Sequence, residues 1–447
     1  MKMSKVLLRN IIIAGSLVIL LYSCSRPGKD VVQDSVSAAA VQPGAVAAVQ
    51  SGAAAAGDLP GFSDWTEVLQ QARGSKLRWY LWGGSAAIND FVDVHYGKPL
   101  KEEFGISLDR IPVADTRDAV GIVISEIEAG KTSGGAVDLI WINGLNFFTM
   151  RQGNLLYGPW AESIPNAALV DWQNPALAYD FGVPVEGFES PWSSSQFQFI
   201  YDSARMSADE LPRSYRELDS WIRSNPGRFT YIAPSGAAFQ GTRFVKQALY
   251  ELSGGYERFL GPWNQAEFDR LSPALWDFLN SWEPYLWRQG KSYPASENEL
   301  HQLFANGEVD FSITLATAGA GPAIEAGLLP LTARAYAFRQ YMIGDYNYVA
   351  IPANASNKAA ALVLANLILR PDRQAGQVLP SSGFGLGYGI DVARTDNADR
   401  IMLEAAITSL GPAAADIDDL QSSFAPDLAP ESQKAIQDGW EANVLRK

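Results

Sequence analysis

Short apolar runs alternate along the chain with segments whose apolar residues recur every three or four positions. Residues 77–82, 106–113 and 137–142 read as strands, and the helical patterns between them begin at Ser85 and Asp115. Strands joined by helical connections of this length lie parallel in one sheet. The pattern restarts near residue 197, so the sequence predicts an α/β fold with two lobes in succession.

In the second half, strands are predicted at 197–201, 228–233, 309–316, 335–338 and 347–351. Helices are predicted at 215–224, 239–252, 296–307 and 359–369, with Ser296 capping the third and Ser356 capping the last of them.

Composition restricts the possible functions. The chain has 447 residues, of which 47% are hydrophobic and 19% charged, so it can fill more than one core. Its formal charge of -14 argues against nucleic-acid binding, which needs clustered basic residues. Two histidines, His95 and His301, and a single cysteine exclude a disulfide framework and a His- or Cys-rich metal site. We expect His95 on a core-facing helix side, His301 at the surface, and neither a metal nor a cofactor.

The single cysteine, Cys24, follows a secretory pattern. Three basic residues precede an apolar stretch at 11–21, which is shorter than the roughly 20 residues that span a bilayer. The tetrapeptide ending at Cys24 resembles a bacterial lipobox, which predicts a signal peptide at 1–23 and a lipidated Cys24. Residues 24–58, rich in Ala, Val, Gly and Gln, are expected to form a flexible tether. The chain is then held in the cell envelope, attached to the membrane through its lipid only. A plain secretory peptide with an incidental cysteine is the alternative.

Small and polar residues follow several predicted strands. In open parallel sheets, ligands bind beyond the carboxyl ends of the strands, where helix N-termini offer free N–H groups. Each such loop alone is also typical of an ordinary turn. Together they predict a binding site formed by Trp82, Gly83, Gly84, Ser85, Asn143, Gly144, Phe239 and Thr242, with Trp192 and Ser195 from a segment between the lobes.

An enzymatic function stays open at this point. Glu186 and Glu189 lie near aromatic residues, and a glycosidase needs two carboxyl groups about 5 to 9.5 Å apart. A lipid-anchored glycan hydrolase and a glycan-capturing surface lipoprotein are therefore the alternatives to a transport protein.

Several blocks of the chain carry a family resemblance: Trp82-Gly83-Gly84, 134–144, Glu189-Ser190-Pro191-Trp192, 284–291, Met342-Ile343-Gly344 and 351–355. On these blocks the chain resembles extracellular solute-binding proteins of bacterial ABC importers, of the type II class. More narrowly, it is similar to a YnjB-type branch that is distantly related to thiamine-, iron- and polyamine-binding members.

The resemblance implies a two-lobed α/β clamshell with a mixed, mainly parallel sheet in each lobe. Such a clamshell binds a solute without making or breaking bonds. An open form captures the solute, hinge closure buries it, and the closed form docks on a permease with its ATPase. Lobe one is expected at 59–190 and 315–346, and lobe two at 191–314 and 347–447. The chain would cross between lobes near 190–196, 314–316 and 345–348.

Within this frame we expect Trp82, Trp192 and Tyr341 to stack on the solute, and Ser85, Asn143, Ser195, Thr242 and Thr314 to form hydrogen bonds with it. Ser85 replaces an Asp that relatives tend to carry, and Asp345 stands where they often have Asn. A carboxylate that has moved across the cleft would keep a preference for a cationic or thiamine-like solute. We also expect a monomer.

Overall fold

A computed structural model describes residues 59–235, 239–379, 382 and 384–446. The predicted signal peptide, Cys24 and the whole predicted tether lie outside these residues. The α/β class is confirmed. Within the described ranges, no helix has the length and apolar character needed to cross a membrane.

The helices of the described residues are α1 (Trp65–Ala72), α2 (Ala86–Phe91), α3 (Lys98–Phe104), α4 (Thr116–Glu128), α5 (Gly144–Gln152), α6 (Pro175–Ala178), α7 (Tyr215–Ser224), α8 (Phe239–Ser253), α9 (Gln265–Trp282), α10 (Glu297–Ala305), α11 (Gly321–Glu325), α12 (Lys358–Ile368), α13 (Pro371–Val378), α14 (Asn397–Thr408), α15 (Ile417–Ser423) and α16 (Glu431–Trp440). The strands are β1 (Lys76–Trp82), β2 (Ser107–Val113), β3 (Leu139–Ile142), β4 (Tyr179–Asp180), β5 (Val183–Pro184), β6 (Glu189–Gln196), β7 (Gln198–Asp202), β8 (Phe311–Thr314), β9 (Ala333–Tyr336), β10 (Met342–Ala350), β11 (Gly387–Tyr388) and β12 (Phe424–Pro426).

The larger sheet has the order β11-β6-β10-β3-β1-β2, and β12 pairs with β10. It is mixed, as predicted: β1 runs parallel to β2 and β3, whereas β10 runs antiparallel to β3 and β6. The parallel part places the carboxyl ends of β1 and β3 at one edge, where the predicted binding loops follow.

The smaller sheet has the order β8-β7-β9. Both of its pairings are antiparallel, whereas the sequence predicts mainly parallel pairing in each lobe. Residues 228–233, predicted as a strand, are assigned to no strand, although Phe229, Tyr231 and Ile232 are buried beside β8. This segment has the apolar character of a strand, but its backbone bonds are partly made with loops, such as the bond from Trp287 N–H to Phe229 O.

Two lobes are defined by separate cores. The first lobe contains the larger sheet, with one core between α1 and α12 and another beneath α4 and α5. The second lobe contains the smaller sheet with α7 to α10 and α16. The sequence places 315–346 in the first lobe, but β9 pairs with β7 in the second. It places 347–447 in the second lobe, but α12 packs in the first core, because its apolar side chains cover the larger sheet there.

Strand β6 is the largest difference from the predicted elements. The sequence predicts residues 190–196 as a loop between the lobes, yet they form a strand between β10 and β11. The segment lacks apolar alternation, so no strand pattern reveals it. The chain enters the second lobe only after it, through Phe197, because Gln196 pairs with β10 and Gln198 pairs with β8.

The helix caps agree with the sequence at three places and differ at one. The side chains of Ser85, Asp115 and Ser296 accept hydrogen bonds from the first turns of α2, α4 and α10, as predicted. Ser356 does not cap α12. Instead the buried carboxylate of Asp138 accepts the backbone N–H groups that precede this helix, at 2.9 and 3.0 Å.

Candidate functional site

A cavity of about 590 Å³ lies between the two lobes. Its volume is within the range of small-molecule sites. The first lobe contributes Asn143, Gly144, Leu145, Asn146, Phe181, Ser195 and Asp345, and the second lobe contributes Phe239, Gln240, Arg243, Lys246, Leu315, Pro430 and Gln433.

The first-lobe side is formed by the turn that joins β3 to α5. Gly144 has a positive φ of 56°, and a Cβ there would meet the ring of Phe181 at 3.4 Å, so this position favours glycine. Its N–H donates to Asp180 Oδ2 at 2.6 Å. The next N–H groups of α5 have no partner within the helix and lie at the cavity edge. The turn thus presents backbone donors to the cavity.

Asp180 supports this turn from inside the first lobe. Its side chain is buried, and Oδ1 has no hydrogen-bond partner among the described residues. Burial raises the pKa of Asp180 well above its usual range, and the charges of Asp345 and Asp427 act in the same direction. Burial therefore favours the protonated form of Asp180, although the N–H of Gly144 acts in the opposite direction.

A cluster of four charged side chains, which we call the charged cluster, lies across the cavity from this turn: Arg243, Lys246 and Asp345, which line the cavity, and Asp427, which is buried beside Arg243 and Lys246. Arg243 Nη2 lies 2.9 Å from Asp345 Oδ2 on the other lobe, and its Nε donates to Asp427 Oδ2 at 3.2 Å. Lys246 Nζ donates to Asp427 Oδ1 at 2.6 Å. The hydroxyl of Ser195 donates to Asp345 Oδ1. The pair of Arg243 and Asp345 links the lobes directly across the cleft.

Burial and charge act in opposite directions in this cluster. Burial favours protonation of Asp427, but Lys246 and Arg243 outweigh it and lower the pKa of Asp427. Burial likewise opposes the charge on Arg243, but Asp345 and Asp427 together raise the pKa of its guanidinium. For Lys246, burial dominates and lowers the pKa, although Asp427 opposes it. We therefore expect Asp427 and Arg243 to be charged at neutral pH.

Large apolar side chains stand at the edge of the cavity. Phe239, at the start of α8, is 45% exposed, and Leu145, in the first turn of α5, is 61% exposed. Phe181 adds a half-buried ring on the first lobe. Exposed apolar side chains on both sides of a cleft can cover the apolar part of a bound molecule.

Five of the residues predicted from the sequence line this cavity: Asn143, Gly144, Ser195, Phe239 and Asp345. They come from four separate segments, which the fold brings together. The side chain of Asn143 forms no cap hydrogen bond with α5, so its amide is available to a solute.

Four predicted residues lie on the neighbouring loop and do not line the cavity. Trp82 ends β1 and is 40% exposed, and its ring packs against Gly84. A Cβ on Gly83 would meet Pro112 at 2.3 Å, so Gly83 serves the close packing of the loop. The hydroxyl of Ser85 caps α2. This loop shares the carboxyl edge of the sheet with Asn143, because β1 and β3 are parallel neighbours.

Trp192 is in a different place from the one predicted. It has no exposed surface, because it lies on β6 inside the first core. Its ring stacks on Phe384 at 4.7 Å, and its indole N–H donates to the hydroxyl of Tyr96 at 3.0 Å. These contacts favour a packing role over stacking on a solute.

Three further predicted residues are also outside the cavity lining. Thr242 is buried and accepts a hydrogen bond from Gln433 at 2.9 Å. Thr314 is buried, and its hydroxyl accepts the N–H of Ala316. Tyr341 has a positive φ of 63° and packs near Tyr250, 6.3 Å between ring centres. Thr242 lies behind the cavity wall and supports it through Gln433.

The two histidines and the two glutamates considered as a glycosidase pair lie outside the cavity lining. His301 is buried rather than at the surface, with Nδ1 2.7 Å from the hydroxyl of Ser312. His95 packs on Phe91, as expected for a core-facing histidine. Glu186 is exposed and pairs with Arg151, whereas Glu189 is fully buried. The described geometry therefore does not bring Glu186 and Glu189 together at the cleft.

Sequence reasoning missed Arg243, Lys246 and Asp427. Arg243 and Lys246 lie three residues apart on α8, whose other residues are largely apolar and buried. Two basic residues in a buried helix of an acidic chain are a usable signal, because buried charges need partners. Asp427 has no such signal, because it lies outside any predicted element.

Comparisons with known proteins agree with this geometry. The pattern of the family described as bacterial extracellular solute-binding protein matches residues 95–385. Protein YnjB of Escherichia coli (strain K12) is 39% identical over 319 residues, which are 71% of this chain and 81% of that protein.

Solved structures show the same fold at low identity. A crystal structure described as that of an extracellular solute-binding protein from Bordetella parapertussis has a TM-score of 0.58 at 12% identity. The match covers 83% of this chain and 98% of that chain. The spermidine/putrescine ABC transporter substrate-binding protein PotD from Streptococcus pneumoniae has a TM-score of 0.54 at 16% identity, covering 82% and 98%.

Proposed function

The chain belongs to the family of bacterial extracellular solute-binding proteins, and from this premise we propose that it captures a small solute in the interlobe cavity and delivers it to a membrane permease of an ABC importer. The observation that supports this function best is the cavity itself. It has the volume of a small-molecule site and takes its lining from both lobes, so a solute there would contact both at once.

The cross-lobe pair of Arg243 and Asp345 supports a mechanism of capture by closure. A solute that contacts both lobes stabilises the form in which they are close, and only such a difference in affinity can shift the conformational equilibrium. The closed form would then be the one that docks on the permease. No bond is made or broken in this scheme, and no cofactor takes part in it.

Two further parts of the proposal concern the state of the chain in the cell. We propose that Cys24 carries the lipid that holds the chain in the cell envelope, as the lipobox-like sequence indicates. We also propose that the chain acts as a monomer, because the cavity takes its lining from the two lobes of one chain. Replacing Cys24 with Ser should move the chain from the membrane to the soluble fraction.

Mass spectrometry of the purified full chain under native conditions tests capture. We expect a co-purifying small molecule that is lost on unfolding, and a rise in melting temperature when it is added back. Small-angle scattering should show a smaller radius of gyration with the solute bound. A chain that carries no small molecule, and whose melting temperature responds to none of the solutes transported in its host, would contradict capture.

A further inference from the structure

The charged cluster has unused hydrogen-bond donors but no unused carboxylate oxygen. Asp345 accepts from the Ser195 hydroxyl on Oδ1 and pairs with Arg243 on Oδ2. Asp427 accepts from Lys246 and its neighbouring backbone N–H on Oδ1, and from Arg243 on Oδ2. Each of these four oxygens therefore already has a partner, and a cationic solute would have to share an oxygen with it.

The donors of the cluster are not exhausted in the same way. Arg243 uses Nε and Nη2, and within the described part of the chain its Nη1 has no partner. Lys246 Nζ carries three protons and makes one hydrogen bond, to Asp427. Both side chains line the cavity although they are almost fully buried. The wall thus offers N–H groups of Arg243 and Lys246 to whatever enters.

The opposite side of the cavity also offers donors. The nine-residue helix α5 begins at Gly144, and the free N–H groups of its first turn carry the positive end of the helix dipole. The amide of Asn143 adjoins them without a cap hydrogen bond of its own. A solute between the two sides would meet donors from both lobes, which is the environment of an anionic group.

We propose that the captured solute is a small organic acid, with a carboxylate or phosphate group between Arg243 and the start of α5 and an apolar body against Phe239 and Leu145. This inference rests on the proposed capture function and names the class of solute for that site. It replaces the hypothesis of a cationic solute, which depends on Asp345.

Asp345 has a specific role in this scheme. Its carboxylate pairs with the guanidinium of Arg243 from the other lobe. An acidic solute competes with that carboxylate for the same donors. Removing the charge of Asp345 should therefore strengthen binding of an acid, whereas it should weaken binding of a cation. The two classes of solute predict opposite signs for one substitution.

Four probes with a shared phenyl group test the class: phenylacetate, phenyl phosphate, phenylacetamide and phenethylamine. They are added at millimolar concentration to the purified full chain and followed by thermal shift and titration calorimetry. We expect one or both acids to bind, with the amide and the amine at least tenfold weaker. The two acids distinguish a carboxylate site from a phosphate site.

Substitutions then locate the binding. Asp345→Asn should tighten binding of the better acid about tenfold, which corresponds to about 1.4 kcal/mol. Arg243→Lys keeps the charge but loses the planar fork, and should weaken binding about tenfold. Asp438→Asn removes a carboxylate from an exposed pair on α16 and serves as the matched control, with no change expected. The melting temperature of each solute-free variant shows whether it is folded.

Two outcomes overturn the proposal directly: binding of the amine in preference to the acids, or weaker acid binding in Asp345→Asn. If no probe binds, the co-purified molecule decides. An acidic molecule supports the proposal, and a neutral or basic one contradicts it while leaving capture intact. If no probe binds and no small molecule co-purifies, the anionic class and capture fail together.

Discussion

Replacing Asp427 with Asn tests whether the charged cluster holds the second lobe together. Asp427 is almost fully buried, and its carboxylate accepts from Lys246, Arg243 and a backbone N–H. Removing one partner of a buried ion pair costs about 3–5 kcal/mol, because the remaining charge is left uncompensated. Arg243 keeps Asp345, so Lys246 bears most of the loss, and we expect about 3 kcal/mol of destabilisation, the lower end of that range.

The pH dependence of the same variant gives an independent check. The pKa of Asp427 is lowered on folding. Its carboxylate therefore contributes to the free energy of unfolding at any pH above the unfolded pKa, about 3.9. This contribution is lost as the pH falls through the lower folded pKa. Asp427→Asn should lack this acid-side loss. On the alkaline side, the pKa of Lys246 is already lowered by burial and should fall further without Asp427. The stability of the variant should then rise with pH more steeply than that of the native chain.

Urea unfolding followed by tryptophan fluorescence and by circular dichroism measures the change, provided that the two transitions coincide. Asp438→Asn is the matched control, because its pair with Lys434 is exposed and should contribute less than about 1 kcal/mol. The double variant Lys246→Met, Asp427→Asn should be more stable than Asp427→Asn alone. A loss below about 1 kcal/mol in Asp427→Asn, or no rescue by Lys246→Met, would refute the reasoning.

The remaining predictions concern the cleft and the first core. Phe239→Ala should weaken solute binding about tenfold in titration calorimetry, because it removes apolar surface worth about 1.5 kcal/mol or more. Leu331→Ala, at an exposed site outside the cavity lining, is the control and should leave the affinity unchanged. Trp192→Ala should cost about 3–5 kcal/mol in urea unfolding without changing the affinity of the folded chain; a selective loss of affinity would restore Trp192 to the site. Burial raises the pKa of Glu189, whose two oxygens lack described partners, so native stability should fall as the pH rises above the unfolded pKa, about 4.3. Glu189→Gln should flatten that fall, and an unchanged pH profile would contradict it.

Local patterns in the sequence predict several elements of both lobes. Helix α7 has the predicted bounds, and β1 and β2 differ from them by one residue at the start. The turn after β3 is also placed correctly, because small residues after an apolar strand mark the edge where ligands bind. These features depend on neighbouring residues only, so a single sequence contains the information.

The rest depends on contacts between distant residues. Arg243 and Asp427 are 184 positions apart, and neither has a local pattern that names the other as its partner. Strand β6 is polar in sequence and buried in the fold, because β10 and β11 pair with it on both sides. Trp192 on this strand therefore lies in the core, although its polar neighbours in sequence predict a position at the cleft. The lobe boundaries follow the same pairings.

The passage from β6 to β7 has a mechanical consequence for the cleft. Ser195, in the cavity lining, is three positions from Gln198, the first residue of the smaller sheet. A rotation of the lobes about Phe197 would displace Ser195 least, whereas Phe239 and Leu145, carried by helices of opposite lobes, would travel further relative to one another. Ser195 would lie near the axis of the rotation, whereas Phe239 and Leu145 would approach each other as the lobes close. The size of the solute would then be tested by how far the two lobes can close around it.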